Sequence, residues 1–221
     1  MGLVILGPVV GTGRTCVVHA LDDERVLRRV QPGIDVTAET AALAYAVGQG
    51  YPAPRVFEVR GQDMIMQRVD GPTMLTALTG GGLGLEEAAE VLADLLRRLH
   101  ALPPRPGAAS GTRLLHLDLH PDNVMLSAAG PVVIDWANAR DGAPALDVAM
   151  SAVILAQVAV DDEHPAAPAA GALLAAFLRH GLDLLDELPT AARLRDGDPM
   201  MSERELALIP AAVTLIRNLA G

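Results

Sequence analysis

The stretch HLDLHPDN, residues 116–123, sets His116, Asp118 and His120 at every second position directly before Pro121, Asp122 and Asn123. On a β-strand alternate side chains share a face, so two imidazoles and a carboxylate would converge on one metal ion such as zinc. In a loop the same letters present Asp118 as a proton acceptor and Asn123 as an amide ligand for magnesium. The rest of the chain separates these readings. His19, His100, His164 and His180 form no ligand-like cluster that would complete a zinc site. A zinc cage also leaves Asn123, and Asp135 at the end of the apolar run VVIDW, without a task.

Composition narrows the chemistry further. Of 221 residues, 51% are hydrophobic, enough for a sizeable core, while aromatics make up only 2%. Stacking platforms for nucleic acid are therefore poorly supplied, and a purine slot would have to be lined by aliphatic side chains. The formal net charge is −10, and all 17 basic residues are arginine. That balance argues against a phosphate-backbone binder and leaves room for a cationic small substrate. The absence of lysine excludes a side-chain ammonium nucleophile. One cysteine, Cys16, permits no internal disulfide and fits a reducing compartment, so a cytoplasmic location is expected. The start MGLVILGPVVGTGRT lacks a basic leader, and the apolar run VAMSAVILAQVAV (148–160) is too short to span a bilayer. The run reads as a buried helix.

Upstream, LVILGPVV (3–10), CVVHALD (16–22) and RVLRRV (25–30) read as strands around the Gly-rich turn GTGRT. VTAETAALAYAVGQG (36–50) reads as a helix with Thr37 as N-cap and Gly48 and Gly50 as stop signals. RVFEV and MIMQRV follow as two strands joined by RGQD, giving five strands around one helix. DGPT (70–73) is a turn leading into a helical remainder, with a strong amphipathic helix over 85–102 and a loop over 103–111. NVMLSAAGPVVIDW reads as a hairpin whose second strand ends on Asp135, and helices fill the chain from about Ala145.

Asn123 lies five positions after Asp118, and Asp135 twelve after Asn123. Together with VVIDWANARDGAPALDVA, the motif HLDLHPDN resembles the aminoglycoside phosphotransferase and choline kinase-like family, small-molecule relatives of protein kinases, of which this chain would be a small member. The resemblance runs through the whole chain in order. It implies an α+β, bilobal protein-kinase-like fold, with residues 1–69 as a nucleotide-binding N-lobe of antiparallel sheet and one helix, and 70–221 as a mainly helical C-lobe. It further implies ATP or another nucleoside triphosphate, with magnesium, and transfer of the γ-phosphoryl group to a hydroxyl of a small molecule, aminoglycoside-like or amino-alcohol-like. Neither nucleic acid nor membrane is an expected partner.

Position by position, the resemblance makes Asp118 the catalytic base, Asn123 and Asp135 the magnesium ligands, and His116 a packing residue. Trp136 stands where protein kinases carry Phe-Gly, and Asp147 resembles an aspartate that ties the segment after the metal site to the helical lobe. VVGTGRTCVV resembles the phosphate loop, with Gly11 and Gly13 admitting backbone N–H groups to phosphate. Where the family has a phosphate-pairing lysine, this chain offers Arg28 or Arg29. Strand alternation lets only one face the cleft, and alignment to the family strand favours Arg28, with Glu39 as its acidic partner. Gln67, Arg68 and Val69 fall at the hinge, where Gln67 and Val69 would bind adenine through backbone groups. Asp161, Asp162, Glu163, Asp183, Asp186 and Glu187 form either a solvated face or an attractor for an amine-bearing acceptor. The arginine in place of lysine and the short segment after Asp147 also fit a second reading, a kinase-like protein that binds nucleotide or a partner with little catalysis.

Overall fold

The computed structural model describes residues 6–221. Residues 3–5 of the first expected strand lie outside them. β1 (Val9–Thr12), β2 (Cys16–Ala20), β3 (Arg25–Val30), β4 (Val56–Arg60) and β5 (Asp63–Gln67) form one sheet in the order β1-β2-β3-β5-β4, every neighbour antiparallel. The β-branched residues of β2 and β3 suit this pleated surface. Register also separates the two arginines of β3. Arg29 lies opposite Asp63 on β5 and forks onto it at 2.6 and 2.7 Å on an exposed face. Arg28 falls on the other face and is buried.

α1 (Thr37–Gly48) packs near this sheet. Thr37 is its first residue and not its cap. No side chain caps the helix at Val36, and the Thr37 N–H is instead taken by the Asp35 carboxylate at 2.9 Å. The Asp35 carboxylate thus satisfies one of the unpaired N–H groups at the helix start. Gly50, at φ +78°, closes the other end, and the next N–H, from Tyr51, reaches the Ala46 carbonyl at 3.0 Å.

Beyond the sheet, Gly71 makes the turn after Asp70 at φ +132°, where an added Cβ would sit 2.1 Å from the Leu126 carbonyl oxygen. Thr73 then caps α2 (Met74–Thr79), a short helix with no sequence expectation. α3 (Leu85–His100) buries Ala88, Ala89, Leu92, Ala93, Leu95, Leu96 and Leu99 along one stripe. α4 (Pro144–Val160) starts with proline in its first turn and is buried on every side from Leu146 to Gln157. This is the helix that the run 148–160 predicts. Each of its fully buried leucine, isoleucine or valine side chains stabilises the fold by roughly 1.5–3 kcal/mol. α5 (Ala167–Leu178), α6 (Leu188–Asp196) and α7 (Glu203–Ala220) surround it. No helix among the described residues is long and apolar enough to cross a membrane.

Two small sheets carry the loops of interest. β6 (Arg113–Leu115) pairs with β9 (Arg140–Gly142), and β7 (Val124–Ser127) pairs with β8 (Gly130–Val133). β8 stops at Val133, two residues before the expected end: the Ile134 N–H still reaches the Asn123 carbonyl in the hairpin register, and Asp135 then leaves the extended conformation at φ +59°. The two lobes are joined by hydrogen bonds from the Tyr51 hydroxyl to Leu95 O (3.1 Å) and from Val133 N–H to Pro52 O (2.9 Å). Trp136 is fully buried, edge-on to Tyr51 and to His116 at ring separations of 5.7 and 5.0 Å.

Candidate active site

The stretch 116–123 is a loop, not a strand. His116 leaves β6, Leu117 adopts φ +62°, and Pro121–Asn123 form a single 3-10 turn before β7. A branched side chain at positive φ is strained by about 1–2 kcal/mol. What holds it is Asp147, in the first turn of α4 and fully buried. Its carboxylate accepts from Leu117 N–H at 2.7 Å, from His116 N–H at 2.9 Å and from His100 Nε2 at 3.0 Å. Leu117 and Asp135 are the two non-glycine residues at positive φ among the described residues, and both adjoin or form the site.

His116 is fully buried, accepts the Asp118 N–H at Nδ1 (3.2 Å) and donates from Nε2 to Ile134 O (3.0 Å). Burial lowers its pKa and keeps it neutral. Both ring nitrogens are engaged, so His116 is no metal ligand. Among the described residues no cluster of three His, Cys, Asp or Glu side chains could hold a metal ion, which disposes of the zinc cage. His120 accepts the Asp122 N–H at Nδ1 and so shapes the turn, with Nε2 3.8 Å from Asp118 Oδ2.

Asn123 Nδ2 donates to the Asp118 carbonyl at 2.8 Å and to its Oδ2 at 3.1 Å. The amide nitrogen is thereby fixed toward Asp118, leaving the amide oxygen as the free donor atom. Burial opposes the charge on Asp118. His120 first, then His116 and Arg195, outweigh it and hold the carboxyl below its ordinary range.

Across the cleft, Arg28 Nη1 bonds both oxygens of Glu39 at 2.7 Å while Nη2 reaches Asp135 Oδ1 at 3.0 Å. Burial works against this guanidinium's charge, and Glu39 and Asp135 outweigh it, so its pKa rises. One cation thus ties α1 of the N-lobe to the loop after β8. Asp135 remains 38% exposed. A carboxylate and an amide oxygen are the hard oxygen donors that magnesium takes, in small number, beside phosphate and water.

The glycine turn is less open than its sequence suggests. Gly13 gives its N–H to Cys16 O at 2.9 Å, and Arg14 at the tip crosses to the C-lobe, pairing with Glu205 at 2.5 Å and Met200 O at 2.9 Å. Gly11 lies opposite Val18 beside an irregularity in β1. At the hinge, Gln67 N–H goes to Arg55 O and Arg68 N–H to Glu24 O, while Val69 N–H has no acceptor among the described residues.

Arg195 of α6 was missed by sequence reading. Its Nη1 lies 3.9 Å from Asp118 Oδ1, and its Nε donates to Gln157 Oε1 at 2.9 Å. No local pattern marks it, because α6 is brought to the loop by its packing on α4 and α7. The acidic run 161–163 is not open either. Arg204 engages Asp161, Asp162 and Glu163 at 2.5, 3.3 and 2.9 Å.

A sheet lobe with one helix, clamped over a helical lobe that carries a loop aspartate, an asparagine and a strand-end aspartate, defines a protein-kinase-like phosphotransferase. The sequence profile of the phosphotransferase enzyme family (APH) matches residues 75–195, more than half of the chain, and the protein belongs to that family. Among curated proteins no sequence matches. Solved structures share the fold. The gentamicin complex of APH(2")-IIa aligns at 11% identity and TM-score 0.58, covering 93% of this chain and 90% of that one. The aminoglycoside phosphotransferase APH(3'')-Id from Streptomyces rimosus aligns at 18% and 0.51, covering 93% and 89%. The amicoumacin kinase hAmiN, in complex with AMP-PNP, Ca2+ and Ami, aligns at 12% and 0.56, covering 96% and 87%.

Proposed function

We propose that the protein transfers the γ-phosphoryl group of ATP, with magnesium, to a hydroxyl of a small molecule. The observation that carries this reading is the Asn123 amide, whose nitrogen is fixed on Asp118 and whose oxygen is thereby left without a protein partner among the described residues. Residues 1–69 would serve the nucleotide and 70–221 the acceptor, in the cytoplasm.

Asp118, ionised at neutral pH, takes the proton of the acceptor hydroxyl as its oxygen bonds to phosphorus and the bond to the leaving diphosphate breaks. Asn123 and Asp135 would hold magnesium, which when bound offsets the charge on the phosphate oxygens. Arg28, held by Glu39, faces the phosphates from the N-lobe with two further N–H groups than a lysine offers. Gly11 and Gly13 would cover the phosphates, which requires the Gly13 N–H to leave Cys16 O. Backbone groups of Gln67 and Val69 would receive adenine. The aminoglycoside-like acceptor rests on the named substrates of structurally similar proteins and the amino-alcohol-like one on the sequence resemblance, while the acids at 161–163 that would attract an amine are occupied by Arg204.

Thermal unfolding with and without ATP and magnesium tests the nucleotide half. The wild type should gain stability, and Asp135→Asn should lose the magnesium-dependent part of the gain. Asp118→Asn should keep the shift and form no product in a mass-spectrometric screen of hydroxyl compounds. Unchanged turnover in Asp118→Asn would remove the base assignment, and no shift in the wild type would remove the nucleotide.

A further inference from the structure

Beside the catalytic loop lies a cavity of about 190 Å³ whose lining includes Leu117, Asn138, Arg140, Met150, Arg195 and Asp198. It opens next to the proposed base, since Arg195 both lines it and approaches Asp118 Oδ1 at 3.9 Å. In a chain of net charge −10 its electrostatics are unusual. Two guanidinium groups face one carboxylate on the lining, and that carboxylate, Asp198, has Oδ1 engaged by the Met200 N–H at 2.9 Å.

Most of the chain's arginines sit within 3 Å of a carboxylate, as Arg29 does on Asp63 and Arg105 on Asp141. Arg140 has no ion pair among the described residues, and Arg195 has only the 3.9 Å approach to Asp118 and no closer carboxylate. Arg195 is also positioned with care. Its side chain is 15% exposed, and its Nε is fixed by Gln157, a buried residue whose own amide nitrogen donates to Glu205 O at 2.9 Å. Burial pulls the Arg195 pKa down, the mark of a cation short of counter-charge. A guanidinium anchored at Nε and lacking a close carboxylate presents its Nη groups as a fork for a planar anion.

We propose that this cavity is the acceptor site and that it takes a compact hydroxy acid, its carboxylate received by Arg195 and Arg140 and its hydroxyl presented to Asp118. The proposal rests on the phosphotransferase reading but replaces the amine-bearing acceptor suggested there with an acid. Leu117 and Met150 cover the carbon skeleton, and the volume falls below the roughly 300–1,000 Å³ of pockets for drug-sized ligands. A polyamine would bring like charge against two guanidinium groups, a device that excludes as well as selects.

The test uses the full-length protein with ATP and magnesium and four kinds of probe: glycerate and gluconate, the neutral amide glyceramide, ethanolamine, and gentamicin. Phosphorylated product is read by mass spectrometry and steady-state constants are measured. At least one hydroxy acid should be phosphorylated, and kcat/KM for glyceramide should fall by at least about 30-fold against glycerate, the loss expected when a desolvated charge partner is removed. Arg140→Gln should raise KM for the acid by at least about tenfold with a smaller change in kcat, as removal of a charge-assisted bond predicts. Its nucleotide-induced thermal shift should match wild type, which shows that the variant is folded. Arg195→Lys should recover more of the acid's affinity than Arg195→Gln. Equal use of acid and amide, or turnover of ethanolamine or gentamicin in preference to the acids, would overturn the proposal while leaving the phosphotransferase reading intact. A nucleotide shift with no turnover or binding of either acid would overturn it too. Absence of any nucleotide shift would instead strike the reading on which it rests.

Discussion

Asp147→Ala is the most informative single perturbation of the loop that carries Asp118. The buried carboxylate receives two backbone N–H groups and one imidazole, so alanine leaves the His116 and Leu117 N–H groups without an acceptor. Each buried donor left unsatisfied costs about 1–3 kcal/mol. Leu117 also stands at φ +62°, a conformation that the Asp147 bonds hold and that relaxes once they are gone. The combined loss should be about 3–5 kcal/mol, in line with removing one partner of a buried charged network. For a chain of this length that corresponds to a fall in Tm of about 6–20 °C. Asp147→Asn should lose less, because its carbonyl oxygen still accepts one of the N–H groups while its NH2 opposes another donor. Thermal unfolding followed by circular dichroism, with nucleotide absent, gives the numbers. Any phosphotransfer activity should fall in both variants even at temperatures where they stay folded, since the turn that aims Asp118 has lost its restraint. A Tm for Asp147→Ala within about 2 °C of wild type would refute the argument that this carboxylate holds the loop, since even one orphaned N–H should cost more.

Other expectations follow from the same contacts. Arg28→Met strands Glu39, which is 5% exposed, and should cost about 3–5 kcal/mol in urea unfolding, whereas Arg28→Lys keeps a counter-charge and should cost less than half as much. Equal stability of the two variants would contradict the bridging role. The folded Asp118 carboxyl titrates below its unfolded value, so its contribution to stability is present above the unfolded pKa and is lost as pH falls through the folded one. The acid limb of any activity should therefore lie below the ordinary aspartate range. His120→Gln removes the first counterweight to burial and should move that limb upward in a pH–rate profile, and an unmoved limb would clear His120 of the role. Gly71→Ala forces a Cβ to within 2.1 Å of the Leu126 carbonyl at φ +132°, and should lower unfolding free energy by at least about 2 kcal/mol.

Much of the fold was legible because its elements are long and periodic. α3 and α4 follow from apolar stripes and runs, and the five-strand sheet from short β-branched segments between turns. α2, with six residues, and the three-residue strands β6 and β9 carry too little pattern to be seen. The cap of α1 was misassigned because the helix begins at Thr37 itself, whose N–H is taken by the Asp35 carboxylate two residues before it. In the site, Asp118, Asn123 and Asp135 are readable as spaced letters of one motif, and strand alternation separates Arg28 from Arg29. Arg195 and Arg140 are not readable. Their meaning depends on a cavity formed by four segments separate in sequence, and on the absence of close carboxylates that abound elsewhere in the chain.

The three-way grip of Arg28 on Glu39 and Asp135 also fixes how the site responds to alkali. A lysine there would titrate as pH rises toward its ordinary value of about 10.4, and the link between the two lobes would weaken with it. A guanidinium does not deprotonate in proteins. The bond between α1 and the loop after β8 therefore keeps its charge as pH rises, for as long as the fold survives. A fall in activity on the basic side must then arise from the nucleotide, the acceptor or another residue.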